Sequence, residues 1–92
     1  MTPETYISRN SKIPWRIIEQ EAVLVEVEKG EVIHLNEVGA QIWNFLGCKR
    51  NIGEIIQHVC DSFEIDSKTA QDDVMGFVQE LIDKRLVVTQ DE

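Results

Sequence analysis

Ninety-two residues are enough for one small domain with a single core, and no apolar run reaches the roughly 20 residues that a membrane-spanning helix needs. A formal net charge of −8 sets the chain against phosphate backbones and anionic membrane surfaces and toward basic partners. The only cysteines, Cys48 and Cys60, form no CxxC pair and have no histidine at ligand spacing, which argues against structural zinc. The N-terminus has no basic region followed by an apolar one. The expected location is therefore cytoplasmic, with both cysteines as free thiols.

Residues 1–13 carry no sustained period and read as a flexible arm, with Tyr6 and Ile7 able to pin part of it to the body. Pro14 cannot donate to a ladder and marks the edge of order. Residues 15–20 predict a first strand through the β-branched Ile17 and Ile18. Residues 22–28 predict a second, with Val23, Val25 and Val27 on one face and Leu24, Glu26 and Glu28 on the other. Lys29-Gly30 is a hairpin cue, and Glu31 to Leu35 form the third strand, Ile33 and Leu35 pointing opposite to Val32 and His34.

The period changes at Asn36, a strong N-cap residue. The first helix spans roughly 37–46, with Val38, Ile42, Phe45 and Leu46 on one stripe, Trp43 on its flank and Gly47 as a left-handed stop. After a polar loop at 48–50, Asn51 and Glu54 have capping-box spacing and open a second helix to about Ser62. Asp66 or Ser67 caps the third helix, whose apolar set is Ala70, Val74, Phe77, Val78, Leu81 and Ile82. Residues 86–88 are extended and 89–92 form a frayed tail. A three-stranded antiparallel sheet followed by three helices predicts an α+β, winged helix-turn-helix-like domain over residues 14–88.

Nothing in the chain converges toward catalysis. No serine lies in a nucleophile elbow, and there is no phosphate loop or dinucleotide fingerprint. Asp72-Asp73 reads as a helix N-terminal pair that complements the dipole, and His58 reads as a solvated side chain. No catalytic residue, metal or cofactor is expected. DNA binding is disfavoured because the third helix carries Asp72, Asp73, Glu80 and Asp83 against Lys68, Lys84 and Arg85, leaving it at 3 − 4 = −1. Peptide binding remains. An edge strand offers unpaired N–H and C=O groups to an added strand, and a groove between the third strand and third helix suits such a guest. Met75 and Ile82 read as core rim beside it, and Glu31, Asp73 and Glu80 would make the groove acidic, favouring a guest with lysine or arginine.

The segments Leu35-Asn36-Glu37-Val38-Gly39-Ala40-Gln41-Ile42-Trp43, then Gly47 and a basic pair, then Ile52-Gly53-Glu54-Ile55-Ile56 resemble the coenzyme PQQ synthesis protein D family, whose members are precursor-peptide recognition elements. The spacing of Ala70, Asp73, Val74, Phe77, Val78 and Leu81, ending in Leu86-Val87, matches as well, so the resemblance covers about residues 15–88. It implies a non-enzymatic peptide chaperone. Such a protein binds the leader of a ribosomally made precursor peptide as a strand added to the third strand and packed on the third helix. It then presents the leader to a modifying enzyme, a radical S-adenosylmethionine enzyme in the PQQ route. Carried over by position, the peptide-binding residues are Glu31, Val32, Ile33, His34 and Leu35 on the strand and Asp73, Val74, Phe77, Val78 and Leu81 on the helix. The rivals are a winged-helix DNA-binding protein and a purely structural subunit of a larger enzyme. An open sheet edge also allows a homodimer.

Overall fold

The computed structural model describes residues 2–90. Three strands, β2 (Trp15–Ile18), β3 (Glu21–Glu26) and β4 (Glu31–Leu35), form an antiparallel meander in the order β2-β3-β4. Three helices follow: α1 (Glu37–Phe45), α2 (Ile52–Phe63) and α3 (Ser67–Asp83). This is the α+β arrangement that the alternating and helical periods predict. The Lys29-Gly30 cue is right because Gly30 takes φ +68 in the β3–β4 turn, a conformation that costs a glycine little. The first two strands are shorter at their ends than their patterns suggest, since Glu19 (φ 60) and Gln20 turn the chain and residues 27–30 form the hairpin turn.

Each helix begins on a side-chain cap. Asn36 Oδ1 accepts from the Gly39 N–H at 2.9 Å. Asn51 Oδ1 accepts from the Glu54 N–H at 2.8 Å while Glu54 Oε1 accepts from the Asn51 N–H at 3.0 Å, a complete capping box. Asp66 Oδ1 accepts from the Thr69 N–H at 3.3 Å. With the helix starting at Ser67, Asp72 and Asp73 lie in its second turn, too far in to complement the N-terminal dipole. Asp72 instead pairs with Lys68 at 3.0 Å.

A second sheet, in the order β5-β1-β6, corrects the reading of both termini. It joins β1 (Tyr6–Arg9), β5 (Arg50–Asn51) and β6 (Val87–Gln90). The stretch read as a flexible arm therefore pairs on both sides, Ile7 is fully buried, and the Ile52 N–H donates to the Thr5 carbonyl at 3.1 Å. At the other end Thr89 and Gln90 pair with Ile7 and Tyr6 instead of fraying. The rest of the expected tail, residues 91–92, lies outside the described residues.

Trp43, expected on the flank of its helix, is completely buried and meets Trp15 edge-on at 6.2 Å. Around it pack Ala22 and Leu24 of β3, Leu35 of β4, Ile55 and Val59 of α2 and Val74 and Val78 of α3 in one core. Met75 and Ile82 pack against the core at its rim, as expected. Gly47 does not take the left-handed conformation. The α1 helix ends on a tightened turn in which the Leu46 N–H reaches both the Ile42 and Trp43 carbonyls, and Gly47 makes room for Arg9, whose Nη2 lies 3.3 Å from where a Cβ would stand. His58 is half-buried and stacks on Phe45 at 4.1 Å, so it is not simply solvated. Among the described residues no helix is long and apolar enough to cross a membrane.

Candidate functional site

β4 pairs with β3 alone, so its far side is an open edge among the described residues. Which backbone groups face that edge follows from one bond. The Val25 N–H donates to the Pro14 carbonyl at 3.0 Å, so Val25 and, by alternation, Val23 and Glu21 direct their backbone groups toward β2. Ala22, Leu24 and Glu26 must then bond to β4, where their partners are Leu35, Ile33 and Glu31. The N–H and C=O groups left for the open edge of β4 are those of Val32 and His34.

Beside the end of β4 lies a cavity of about 490 Å³. One wall is the start of α1, from Asn36 through Val38 and Gly39 to Ile42, and the other is α3, with Asp72, Asp73, Val74, Gly76, Phe77 and Glu80. Phe77 joins the walls. A Cβ on Gly39 would stand 3.2 Å from Phe77 Cζ and 3.2 Å from Leu35 Cβ, so strand, first helix and third helix converge on that glycine. The floor is apolar, from Val38, Ile42, Val74 and Phe77, and the α3 rim is acidic, from Asp72, Asp73 and Glu80. Lys68 partly offsets Asp72, while no ion pair engages Asp73 or Glu80 among the described residues.

Of the α3 residues expected at the site, Asp73, Val74 and Phe77 line this groove. Val78 and Leu81 do not line it and lie in the core, and Val74, itself 0% exposed, only underlies the groove floor. On β4, Leu35 is buried under Gly39, Ile33 is half-buried, and Glu31, Val32 and His34 are exposed. Glu31, at the far end of the strand, is not among the groove's lining residues, so the acidic rim consists of Asp72, Asp73 and Glu80. The α1 wall was missed. Its signal was a glycine in the first turn of a helix, three residues after a cap, where a close approach is the physical reason to omit a Cβ.

A family model, coenzyme PQQ synthesis protein D (PqqD), matches residues 21–87, which include β4, the α1 wall and all of α3. The solved structure of TbiB1 in complex with the TbiA(beta) leader peptide superposes with a TM-score of 0.77 at 27% identity, covering 87% of this chain and 93% of that one. No curated protein sequence matches the chain significantly.

Proposed function

From the premise that this chain belongs to the coenzyme PQQ synthesis protein D family, we propose that it binds the leader segment of a ribosomally made precursor peptide and presents it to a peptide-modifying enzyme. The observation that carries this reading is the open β4 edge ending at an apolar groove with an acidic rim. The likeness to a structure solved with a leader peptide bound supports it. The leader adds as a strand to β4, bonding to the backbone of Val32 and His34 and sending alternate side chains over the groove. An apolar leader side chain seats on Phe77 and Val38, above the buried Val74, and a neighbouring lysine or arginine meets Asp73 and Glu80.

The protein contributes no catalytic group in this reading. It supplies affinity and register, and a radical S-adenosylmethionine enzyme or another peptide-modifying enzyme supplies the chemistry, in the cytoplasm where precursor peptides are made. Nothing favours a nucleic-acid reading: α3 exposes Asp72, Asp73, Glu80 and Asp83, which repel phosphate.

The test is an NMR titration of the labelled chain with leader peptides of precursors encoded beside its gene. Shifts concentrated on residues 31–42 and 72–80 are expected. Saturable binding with shifts confined to other surfaces would overturn the groove assignment. Absence of binding by every neighbouring leader would overturn the function.

A further inference from the structure

The fold leaves one cation, Arg9, without an acceptor. The chain carries 17 aspartates and glutamates against 9 lysines and arginines, yet among the described residues Arg9 makes no ion pair and no hydrogen bond. Its Nη1 is sealed from solvent and unpartnered. What the guanidinium meets is aromatic: Cζ lies 4.6 Å from the centre of the Trp15 ring and 6.0 Å from that of Trp43. A ring face attracts the charge but does not accept the N–H groups that lie in the guanidinium plane. A charge withdrawn from water without a counter-ion is costly. The backbone holds the arginine in this position. Arg9 pairs with Val87 across β1 and β6, and Asn10 donates from its N–H to the Leu86 carbonyl and from Nδ2 to the Arg85 carbonyl, each at 3.0 Å.

A cavity of about 280 Å³ opens beside this guanidinium, between the 8–11 segment, the start of β2 and the end of α1. Among its lining residues Arg9 alone carries a charge. Ser8 and Ser11 bring hydroxyl groups to the wall, and Trp15 and Leu46 make part of it apolar. Gly47 keeps the space clear, since a Cβ there would stand 3.3 Å from Arg9 Nη2. The volume is several times the roughly 30 Å³ that one water occupies in the liquid, enough for a small polar group and its stem.

We propose that this cavity is a binding site for a carboxylate carried by a polypeptide partner. The carboxylate lies in the plane of the Arg9 guanidinium while Trp15 covers the face. The guanidinium fork matches a planar carboxylate through two parallel bonds. One positive charge balances a monoanion, whereas a phosphate near −2 would leave charge uncompensated on a chain that already carries −8. The site selects the sign opposite to that of the leader groove and shares no lining residue with it, so it stands apart from the leader reading.

The test uses the full chain with Trp15 and Trp43, its two tryptophans, as reporters, because both rings lie within 6.0 Å of the guanidinium. At constant ionic strength, N-acetyl-glutamate amide should change their emission saturably, with a Kd on the order of 1–10 mM. The neutral N-acetyl-glutamine amide should give no saturable change. N-acetylglycine, whose carboxylate is that of a chain end, is titrated in parallel, and the tighter probe identifies a side chain or a C-terminus as the natural guest. Arg9→Gln should abolish the response. Gly47→Asp, which sets a carboxylate of the chain beside the guanidinium, should abolish it too and carries the test if Arg9→Gln does not fold by circular dichroism. Amide shifts in the natural chain should concentrate on residues 8–15 and 46–47. Absence of a saturable response to both carboxylates overturns the proposal, as does a response that persists in either folded variant or shifts that map elsewhere. Inorganic phosphate binding more tightly than both carboxylates overturns it as well, by assigning the cavity to phosphate.

Discussion

Proline substituted at adjacent positions of β4 should separate leader binding from folding. Val32 and His34 direct their N–H and C=O groups to the open edge, whereas Ile33 bonds to Leu24. Val32→Pro therefore removes a donor from the guest and none from the ladder, and an edge strand tolerates proline when the missing N–H faces outward. Each backbone bond contributes a net ~0.5–1.5 kcal/mol, and leaving the guest's carbonyl unpaired adds a desolvation cost. The loss is about 1.5–3 kcal/mol, or roughly ten- to a hundredfold in leader Kd. Ile33→Pro deletes a ladder bond and drives its ring against β3, which costs on the order of 3 kcal/mol. For a domain of this size that lowers Tm by roughly 12–24 °C. The assays are calorimetric titration with the leader and thermal melting followed by circular dichroism. A folded Val32→Pro variant with unchanged leader affinity would refute strand addition at β4. A larger loss of Tm for Val32→Pro than for Ile33→Pro would refute the deduced hydrogen-bond parity.

Phe77→Ala should weaken leader binding by about tenfold, because the ring is the largest apolar surface of the groove floor, and isothermal titration reads this directly. Asp73→Asn combined with Glu80→Gln should lower affinity for a leader bearing lysine or arginine and flatten its salt dependence. A leader without basic residues should bind as before, and fluorescence anisotropy across a salt series distinguishes the two. Asn51→Ala breaks the α2 capping box and should cost about 1 kcal/mol, or roughly 4–8 °C in Tm. Leader affinity should stay the same, since that cap is not part of the groove.

Local features were readable from the residues alone. Asn36, Asn51 with Glu54, and Asp66 cap their helices because a cap is decided within four residues. The alternation of residues 31–35 survives intact for the same reason. What escaped depends on partners distant in sequence. β1 and β5 are four and two residues long, with too few inward positions to show a period, and they exist because Tyr6 and Ile7 find Asn51 and Arg50. Gly47 looked like a conformational stop, but its lack of a side chain accommodates the Arg9 guanidinium. On α3, Val74, Phe77, Val78 and Leu81 share one apolar stripe, and helical spacing cannot say which part of a stripe another helix covers. Packing divides them: Val74, Val78 and Leu81 are sealed into the core, while Phe77 stays half-open beside Gly39.

Gly39 is where that division is made, and its substitution by alanine weighs two opposed effects. A methyl group in place of hydrogen favours the helix by up to ~1 kcal/mol, less in a first turn. Against this, the new Cβ would stand 3.2 Å from Leu35 Cβ and 3.2 Å from Phe77 Cζ. Leu35 Cβ moves only with its strand, so strand and helix must part by a few tenths of an ångström to clear it, whereas the half-exposed Phe77 ring can swing away from α1. Overpacking costs ~1–3 kcal/mol where neighbours are held, and the free movement of Phe77 puts this site at the low end. The two effects nearly cancel in stability, leaving Gly39→Ala within about 1 kcal/mol of the natural chain. They do not cancel in the groove, because the displaced ring moves into the space meant for the leader side chain. Leader affinity should therefore fall by about tenfold while Tm moves by no more than roughly 8 °C. A variant that melts far lower would mean that Phe77 cannot move. One that binds the leader normally would mean that the guest does not use the space between α1 and α3.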